Sequence, residues 1–128
     1  MIVVDTSALV AIALQDPEGP ACMRELRSEP DLLISAGTVT EALIVASRRG
    51  VLPGMETLLD ELGFEIVPVT AAGARQAGDA YRRWGKGFHA AKLNFGDCFA
   101  YALAKERDCP LLYVGGDFAL TDIVGAIA

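Results

Sequence analysis

Four acidic residues, far apart in the chain, stand where a carboxylate could take part in chemistry. Asp5 directly follows an apolar run, and Asp117 lies just after two glycines near the end of the chain. Glu41 and Asp97 are each followed at once by a mainly apolar stretch. No basic residue lies within three positions of any of these acids. They therefore stand near the core without a local partner for their charge.

Carboxylates gathered at one place need a positive charge between them. Two of them about 4 Å apart repel by roughly 4 kcal/mol at an effective dielectric constant near 20. Mg²⁺ and Mn²⁺ prefer oxygen ligands, so either ion would relieve this repulsion. Such an ion can lower the pKa of a bound water and stabilise charge on a phosphoryl oxygen. The four acids together therefore indicate a site for a hard divalent cation such as Mg²⁺ or Mn²⁺.

Each acid taken singly also has a structural explanation. Asp5 could cap the helix that follows it, because a side-chain oxygen there accepts a free backbone N–H. The segments Thr38–Glu41 and Asn94–Asp97 both have the spacing of a capping box. Asp117 could be an ordinary turn residue. It is the occurrence of all four at entry points to the core that favours a common site.

The elements that must position these acids alternate along the chain. The predicted strands cover residues 2–4, 31–35, 64–69 and 111–114, and the predicted helices cover 8–14, 20–28, 38–49, 53–62, 71–84 and 95–107. This alternation predicts an α/β fold, with a mainly parallel central sheet of about four or five strands flanked by helices. In such sheets, sites form at the carboxyl ends of the strands. The four acids are therefore expected to converge at one edge of the sheet.

Length and composition narrow the class of protein. The chain has 128 residues, which predicts a single domain over 1–128. The hydrophobic fraction of 52% is high for so small a domain and favours a homodimer. No apolar run is long enough to cross a membrane, and the first residues lack a signal-peptide pattern. Three cysteines without metal-type spacing predict buried reduced thiols in a cytoplasmic protein.

The charge distribution leaves nucleic acid open as a partner. The net charge of -6 argues against attraction of nucleic acid over the whole surface. Five of the eleven basic residues, however, lie between positions 75 and 92, where Asp79 is the only acid. Candidate contacts with nucleic acid are Arg82, Arg83, Lys86 and Lys92. The alternative is a solvated helix face, with Trp84 packed in the core and His89 merely exposed in a loop.

The quoted residues resemble one known family over nearly the whole chain. The carrying motifs are Val-Val-Asp-Thr-Ser-Ala at residues 3–8, the isolated Glu41, Leu-Asn-Phe-Gly-Asp-Cys at 93–98 and Gly-Asp-Phe-Ala-Leu-Thr-Asp at 116–122. In order and spacing, these motifs are similar to the PIN domain, and more narrowly to the VapC toxins of bacterial toxin–antitoxin pairs. The motif at residues 93–98 is fairly specific for this family. The ordered set of four acids is strong evidence for the resemblance.

The resemblance implies a function and a set of roles. It implies that the metal ligands and catalytic acids are Asp5, Glu41, Asp97 and Asp117. It implies Mg²⁺ or Mn²⁺ as the cofactor, endoribonuclease activity with transfer RNA as the favoured substrate class, a homodimer, and a cognate antitoxin that blocks the acidic groove. Supporting positions would be Ser7, Asn94, Thr121 and Asp122, the last as an additional acid or a cap. Gly116 departs from the family, whose members often carry an acid or polar residue there.

Two other classes of protein remain as alternatives. A non-catalytic PIN-like binding module for nucleic acid or protein would usually have lost one of the four acids, and all four are present here. A phosphatase of the haloacid dehalogenase type also begins with a strand and an aspartate. That chemistry needs a second acid two positions further on, where this chain has Ser7.

Overall fold

A four-stranded parallel sheet forms the centre of the molecule. The structure is a computed structural model and describes residues 1–127. The strands are β1 (Ile2–Val4), β2 (Leu32–Ser35), β3 (Glu65–Val67) and β4 (Leu111–Leu112). Their order in the sheet is β3-β2-β1-β4, and every pairing is parallel. The predicted parallel sheet is confirmed, although β3 and β4 are shorter than predicted.

Six helices cover the two faces of the sheet. They are α1 (Thr6–Ala13), α2 (Gly19–Ser28), α3 (Ala36–Arg49), α4 (Leu52–Glu61), α5 (Ala71–Trp84) and α6 (Phe95–Arg107). A short 3₁₀ turn, Phe118–Leu120, follows β4. The predicted bounds of α5 and α6 are confirmed to the residue. No helix within residues 1–127 has the length and apolar character that a membrane crossing needs.

The start of α3 differs from the capping box predicted for Thr38–Glu41. The helix begins two residues earlier, because Ser35 at the end of β2 caps it by accepting a hydrogen bond from the Gly37 amide at 3.2 Å. Thr38 is fully buried inside the helix. Glu41 therefore lies beyond the first turn and caps nothing. The capping explanation for this acid is wrong.

Alternate residues of β1 point to opposite faces of the sheet and into two separate cores. Val3 lies in a core with residues of α5 and α6. Ile2 and Val4 lie in a second core with residues of α1 to α4. A parallel strand buried on both faces needs apolar residues throughout. Cys22 and Cys98 are buried free thiols, as predicted, and Cys109 is half-buried.

Helices α3 and α6 approach each other closely at a glycine. A Cβ atom at Gly37 would lie 2.6 Å from Cγ of Phe99 in α6. That distance is far below van der Waals contact, so only glycine fits without movement of the aromatic ring. The contact matters for the site because the same two helices carry Glu41 and Asp97.

The glycine contact can be tested by its effect on stability. Gly37→Ala should lower the free energy of unfolding by about 1–3 kcal/mol, because the added methyl overpacks the contact with Phe99. The matched control is Gly78→Ala in α5, where a Cβ meets nothing within 4 Å. That change should stabilise the protein by up to about 1 kcal/mol through helix propensity. Urea unfolding of both variants measures the difference, and equal effects would contradict the close packing.

Candidate active site

Asp5 is a buried carboxylate with an unused oxygen. It ends β1 and caps α1, where its Oδ2 accepts hydrogen bonds from the Ser7 amide at 3.0 Å and the Ser7 hydroxyl at 2.7 Å. The residue is 2% exposed. Its Oδ1 is buried and has no hydrogen-bond partner among residues 1–127. The predicted cap is thus real, but it uses only half of the carboxylate.

The surroundings of Asp5 disfavour its charge. Burial raises the pKa of Asp5 to about 7, against the lowering effect of the Ser7 hydrogen bonds. The neighbouring charges of Asp97 and Glu41 raise this pKa further. A carboxylate held in this way gains from any cation that binds at its free oxygen.

Ser7 connects the first acid to the far end of β4. Its Oγ donates to Asp5 and accepts a hydrogen bond from the Val114 amide at 3.0 Å. A hydroxyl can do both at once. The segment that leads to Asp117 is therefore fixed to the end of β1. This contact gives a physical basis for the supporting role that the resemblance implied for Ser7.

Asp97 is both a helix cap and a member of the acid group. Its Oδ2 accepts from the Asn94 amide at 3.0 Å, while Asn94 Oδ1 accepts from the Asp97 amide at 2.9 Å. This is the capping box predicted for Asn94–Asp97. Burial raises the pKa of Asp97 to about 6, the Asn94 hydrogen bond lowers it, and the charges of Glu41 and Asp117 raise it. Capping and proximity to the other acids occur together.

Glu41 reaches α6 through a gap left by a glycine. A Cβ atom at Gly96 would lie 1.8 Å from Glu41 Oε2, so the carboxylate occupies the space beside the Gly96 backbone. Gly96 immediately precedes Asp97. The sequence motif contained this glycine, but only the structure reveals that it makes room for an acid from another helix.

Asp117 is the exposed member of the group. It precedes the 3₁₀ turn and makes no side-chain capping bond. Its charge contributes to the raised pKa of Asp97, which places the two carboxylates within electrostatic reach of each other. The charge of Asp97 thus acts on, or is acted on by, each of the other three predicted acids.

The group suits a hydrated ion better than a closed cage. Within the described part of the chain, no three acid, histidine or cysteine side chains lie close enough together to hold a metal ion between them. Mg²⁺ commonly keeps several waters and binds only one or two carboxylates directly. The all-oxygen donors, and the Asp5 Oδ1 that has no hydrogen-bond partner among residues 1–127, suit such an ion.

The predicted basic residues divide into two kinds. Arg82 forms an ion pair with Asp79, and Arg83 lies 4.6 Å from the centre of the Trp84 ring and 3.7 Å from Asp122. Lys86 and Lys92 are exposed and take part in none of the ion pairs found within residues 1–127. The two lysines are therefore the freer candidates for contact with a polyanion.

The aromatic residues in and beside the basic loop, residues 85–94 between α5 and α6, mainly make structural contacts. Trp84 is partly buried, and its Nε1 donates to the Tyr101 hydroxyl at 2.9 Å. His89 packs edge-on against Trp84, and its Nδ1 accepts from the Ala91 amide. Phe88 differs from both, because 64% of it is exposed to solvent.

The last two predicted supporting residues lie beyond the 3₁₀ turn. Thr121 Oγ1 donates to the Phe118 carbonyl at 2.7 Å and accepts from the Ile123 amide at 3.2 Å. Asp122 accepts hydrogen bonds from Tyr101 and Lys105. Sequence reasoning missed Tyr101, although a hydroxyl one turn after Asp97 in a mainly apolar helix was a usable signal.

The fold and the site define a class of parallel α/β domains that carry a group of acidic residues at the carboxyl edge of the sheet. Comparisons with known proteins identify the family to which this chain belongs. The PIN domain family matches residues 2–124. Ribonuclease VapC of Mycolicibacterium smegmatis is 42% identical over 125 residues, covering 95% of this chain and 97% of that protein. Ribonuclease VapC30 of Mycobacterium tuberculosis is 39% identical over 125 residues, covering 95% of each chain. This chain therefore belongs to the PIN domain family, among the VapC ribonucleases.

Solved structures support the same fold. The crystal structure of Mycobacterium tuberculosis VapC20, described as a sarcin-ricin loop cleaving toxin, matches with a TM-score of 0.79 at 21% identity and covers 97% of both chains. A toxin–antitoxin complex from Klebsiella pneumoniae matches with a TM-score of 0.69 at 19% identity, covering 95% of this chain and 93% of that one. The family resemblance noted in the sequence is confirmed.

The raised pKa of Asp5 predicts a pH-dependent stability. The folded state binds the proton of the Asp5 carboxyl more tightly than an unfolded chain, in which the pKa is 3.8. The free energy of unfolding should therefore decrease as the pH rises from about 4 to about 7. Asp5→Asn removes the charge and keeps a capping oxygen. In EDTA at pH 8 it should be more stable than the wild type by on the order of 2–4 kcal/mol, and the gain should shrink towards pH 4.

Urea unfolding at pH 8, 6 and 4.5 measures this difference. Asp60→Asn, at an exposed position in α4, is the control for net charge alone. Equal stability of wild type and Asp5→Asn at pH 8 would show that the buried charge carries no cost.

Proposed function

We propose that this protein is an endoribonuclease that hydrolyses RNA phosphodiester bonds with Mg²⁺ or Mn²⁺ at Asp5, Glu41, Asp97 and Asp117. The observation that carries the proposal is the buried Asp5 carboxylate, whose Oδ1 has no hydrogen-bond partner among residues 1–127 and whose pKa is raised by burial and by the charges of Asp97 and Glu41. A fold that keeps such a group without a basic partner is expected to bind a cation there. The ribonuclease names of the relatives at 39–42% identity support the choice of RNA.

Each acid of the proposed site would have its own role in metal binding or in the activation of water. Asp5 and Asp97 would hold the ion, with Asp117 completing the set from the exposed side. The ion, when bound, supplies a charge that stabilises a phosphoryl oxygen and acidifies water. Glu41 would orient the attacking water and accept its proton, since its carboxylate lies free of any cap beside Gly96. Ser7 and Asn94 would keep Asp5 and Asp97 in their rotamers.

RNA would approach along the basic loop. Lys86 and Lys92 can neutralise phosphates, because neither is engaged in an ion pair within residues 1–127. Arg82 and Arg83 would contribute only after releasing their acidic partners. Exposed Phe88 could stack on a base. Transfer RNA is the first substrate class to assay.

The biological role proposed is that of a toxin held in check by a cognate antitoxin. The names of the relatives and the toxin–antitoxin complex among the similar structures support it. A homodimer is part of the proposal, because large apolar side chains remain exposed beside the acids, including Phe95 at 78% and Ile44 at 56%. A non-catalytic binding module is the alternative that the following assay separates.

Cleavage of RNA should depend on the ion and on the central acid. Purified protein should cleave transfer RNA in Mg²⁺ or Mn²⁺ and not in EDTA. Asp97→Asn should lower the rate about 100-fold or more, which corresponds to about 2.7 kcal/mol of lost transition-state stabilisation. Asp60→Asn is the matched control and should cleave at the wild-type rate. Gel analysis of end-labelled RNA gives the rates.

Metal binding should be visible without any reaction. Mn²⁺ should raise the midpoint of thermal unfolding of the wild type and leave that of Asp97→Asn nearly unchanged, because binding to the folded state alone stabilises it. Cleavage that persists undiminished in EDTA would overturn the metal mechanism. Mn²⁺ binding with no cleavage of any RNA would favour the binding module.

Expression should arrest growth if the protein is a toxin. Induction of the wild type in a bacterial host should stop growth, and Asp5→Asn should relieve the arrest because the ion loses its buried ligand. Blotting for soluble protein controls for expression, and colony counts give the readout. Normal growth with abundant soluble wild type would count against the toxin role.

A further inference from the structure

The segment that carries Asp117 has little regular structure of its own. It leaves β4 through Gly115, whose φ of +101° suits glycine, and continues into a single 3₁₀ turn. Upstream, the Val114 amide is bound to the Ser7 hydroxyl. A carboxylate on such a segment stays in place only if the downstream side is fixed as well.

Asp122 provides the downstream attachment. Its Oδ1 accepts a hydrogen bond from the Tyr101 hydroxyl, and its Oδ2 accepts one from Lys105 Nζ at 3.2 Å. Arg83 Nη1 lies 3.7 Å from the same Oδ2. Burial raises the pKa of Asp122, but the Tyr101 and Lys105 hydrogen bonds outweigh it and the net pKa is lowered. The carboxylate is thus a charged acceptor bound from α5 and α6 together.

Tyr101 is the fixed half of this contact. It lies one helical turn after Asp97 in α6 and is only 6% exposed. The Tyr101 oxygen also accepts a hydrogen bond from Trp84 Nε1 at 2.9 Å, which orients the hydroxyl. Burial and the Asp122 contact raise the pKa of Tyr101 to about 12, so the hydroxyl keeps its proton and donates it.

Only four residues separate Asp122 from Asp117, and the first and last of them are held in place. Phe118 is buried in the core and packs on Tyr113 with ring centres 5.3 Å apart. Thr121 closes the turn with two hydrogen bonds. Because the stretch is this short and held at both ends, the position of Asp117 depends on that of Asp122.

We propose that Tyr101 and Asp122 are positioning residues, which hold the Asp117 segment against α6 so that Asp117 stays beside Asp97. The hydroxyl of Tyr101 is the shared point, since it connects the helix of one acid to the segment of another. Asp122 acts through this contact and not as a further ligand. The consequence for metal binding rests on the function proposed above, whereas the attachment itself does not.

Hydrogen exchange followed by mass spectrometry tests the attachment directly. The amides of Val114, Leu120, Thr121 and Ile123 are all hydrogen-bonded and report on the segment. Tyr101→Phe and Asp122→Ala should each speed their exchange by about fivefold or more, because local opening becomes easier. Asp122→Asn keeps an acceptor for Tyr101 and should have an intermediate effect.

A double-mutant cycle shows whether the two residues act through each other. Tyr101→Phe should add almost nothing to exchange in the Asp122→Ala background, because the bond is already lost. Tyr113→Phe is the matched control. It removes a tyrosine hydroxyl near the same segment that makes no hydrogen bond within residues 1–127, and it should leave exchange unchanged.

Calorimetric titration with Mn²⁺ provides a readout that a purely structural contact would not change. The dissociation constant should rise about threefold to tenfold in Tyr101→Phe and Asp122→Ala, while circular dichroism remains that of a folded protein. Unchanged exchange in both variants overturns the proposal, and so does faster exchange with unchanged Mn²⁺ affinity. If the wild type binds no Mn²⁺, the metal function fails and exchange alone decides the attachment.

Discussion

Burial of acidic side chains close to one another is the constraint on which the rest of this structure depends. Asp5 and Asp97 both have pKa values raised mainly by burial, and both also feel the charges of neighbouring acids. The fold tolerates them by supplying neutral donors instead of cations: the Ser7 hydroxyl and amide, and the Asn94 amide. Neutral donors hold each carboxylate in one rotamer yet leave its charge uncancelled. Neither Asp5 nor Asp97 therefore forms an ion pair with a basic side chain within residues 1–127.

Helix capping and assembly of the acids are one device here and not competing explanations. A parallel strand delivers its last residue to the start of the next helix, where free N–H groups need an acceptor. Asp5 meets that need for α1, and Asp97 does so for α6. In each acid the capping hydrogen bonds go to Oδ2, and Oδ1 makes none of them. The caps therefore fix the acids with the precision of helix ends, which loops alone do not offer.

The sequence carries most of the fold and the identity of the acids, because both depend on local patterns. Alternating apolar segments predict the parallel sheet, and core-entry positions single out Asp5 and Asp97. The predicted start of α3 at residue 38 is wrong because Ser35 and Thr38 are both residue types that cap helices well. The choice between them follows from the burial of Thr38, which depends on tertiary packing. Tyr101 and Asp122 are 21 residues apart in the chain. Their contact depends on how the segment after β4 crosses α6, and no local sequence pattern encodes that path. For the same reason, the engagement of Arg83 by Asp122 could not be foreseen.

Two glycines explain how acids from separate helices come so close. At Gly37 the α3 backbone accepts the Phe99 ring, and at Gly96 the α6 backbone accepts the Glu41 carboxylate. Gly37 and Glu41 are four residues apart in α3, so they share one face of the helix. A side chain at either glycine would widen the gap between Glu41 and Asp97. The separation of these two acids is thus set by the packing of the α3 backbone against the α6 backbone. The same packing limits how far Glu41 and Asp97 can move relative to each other.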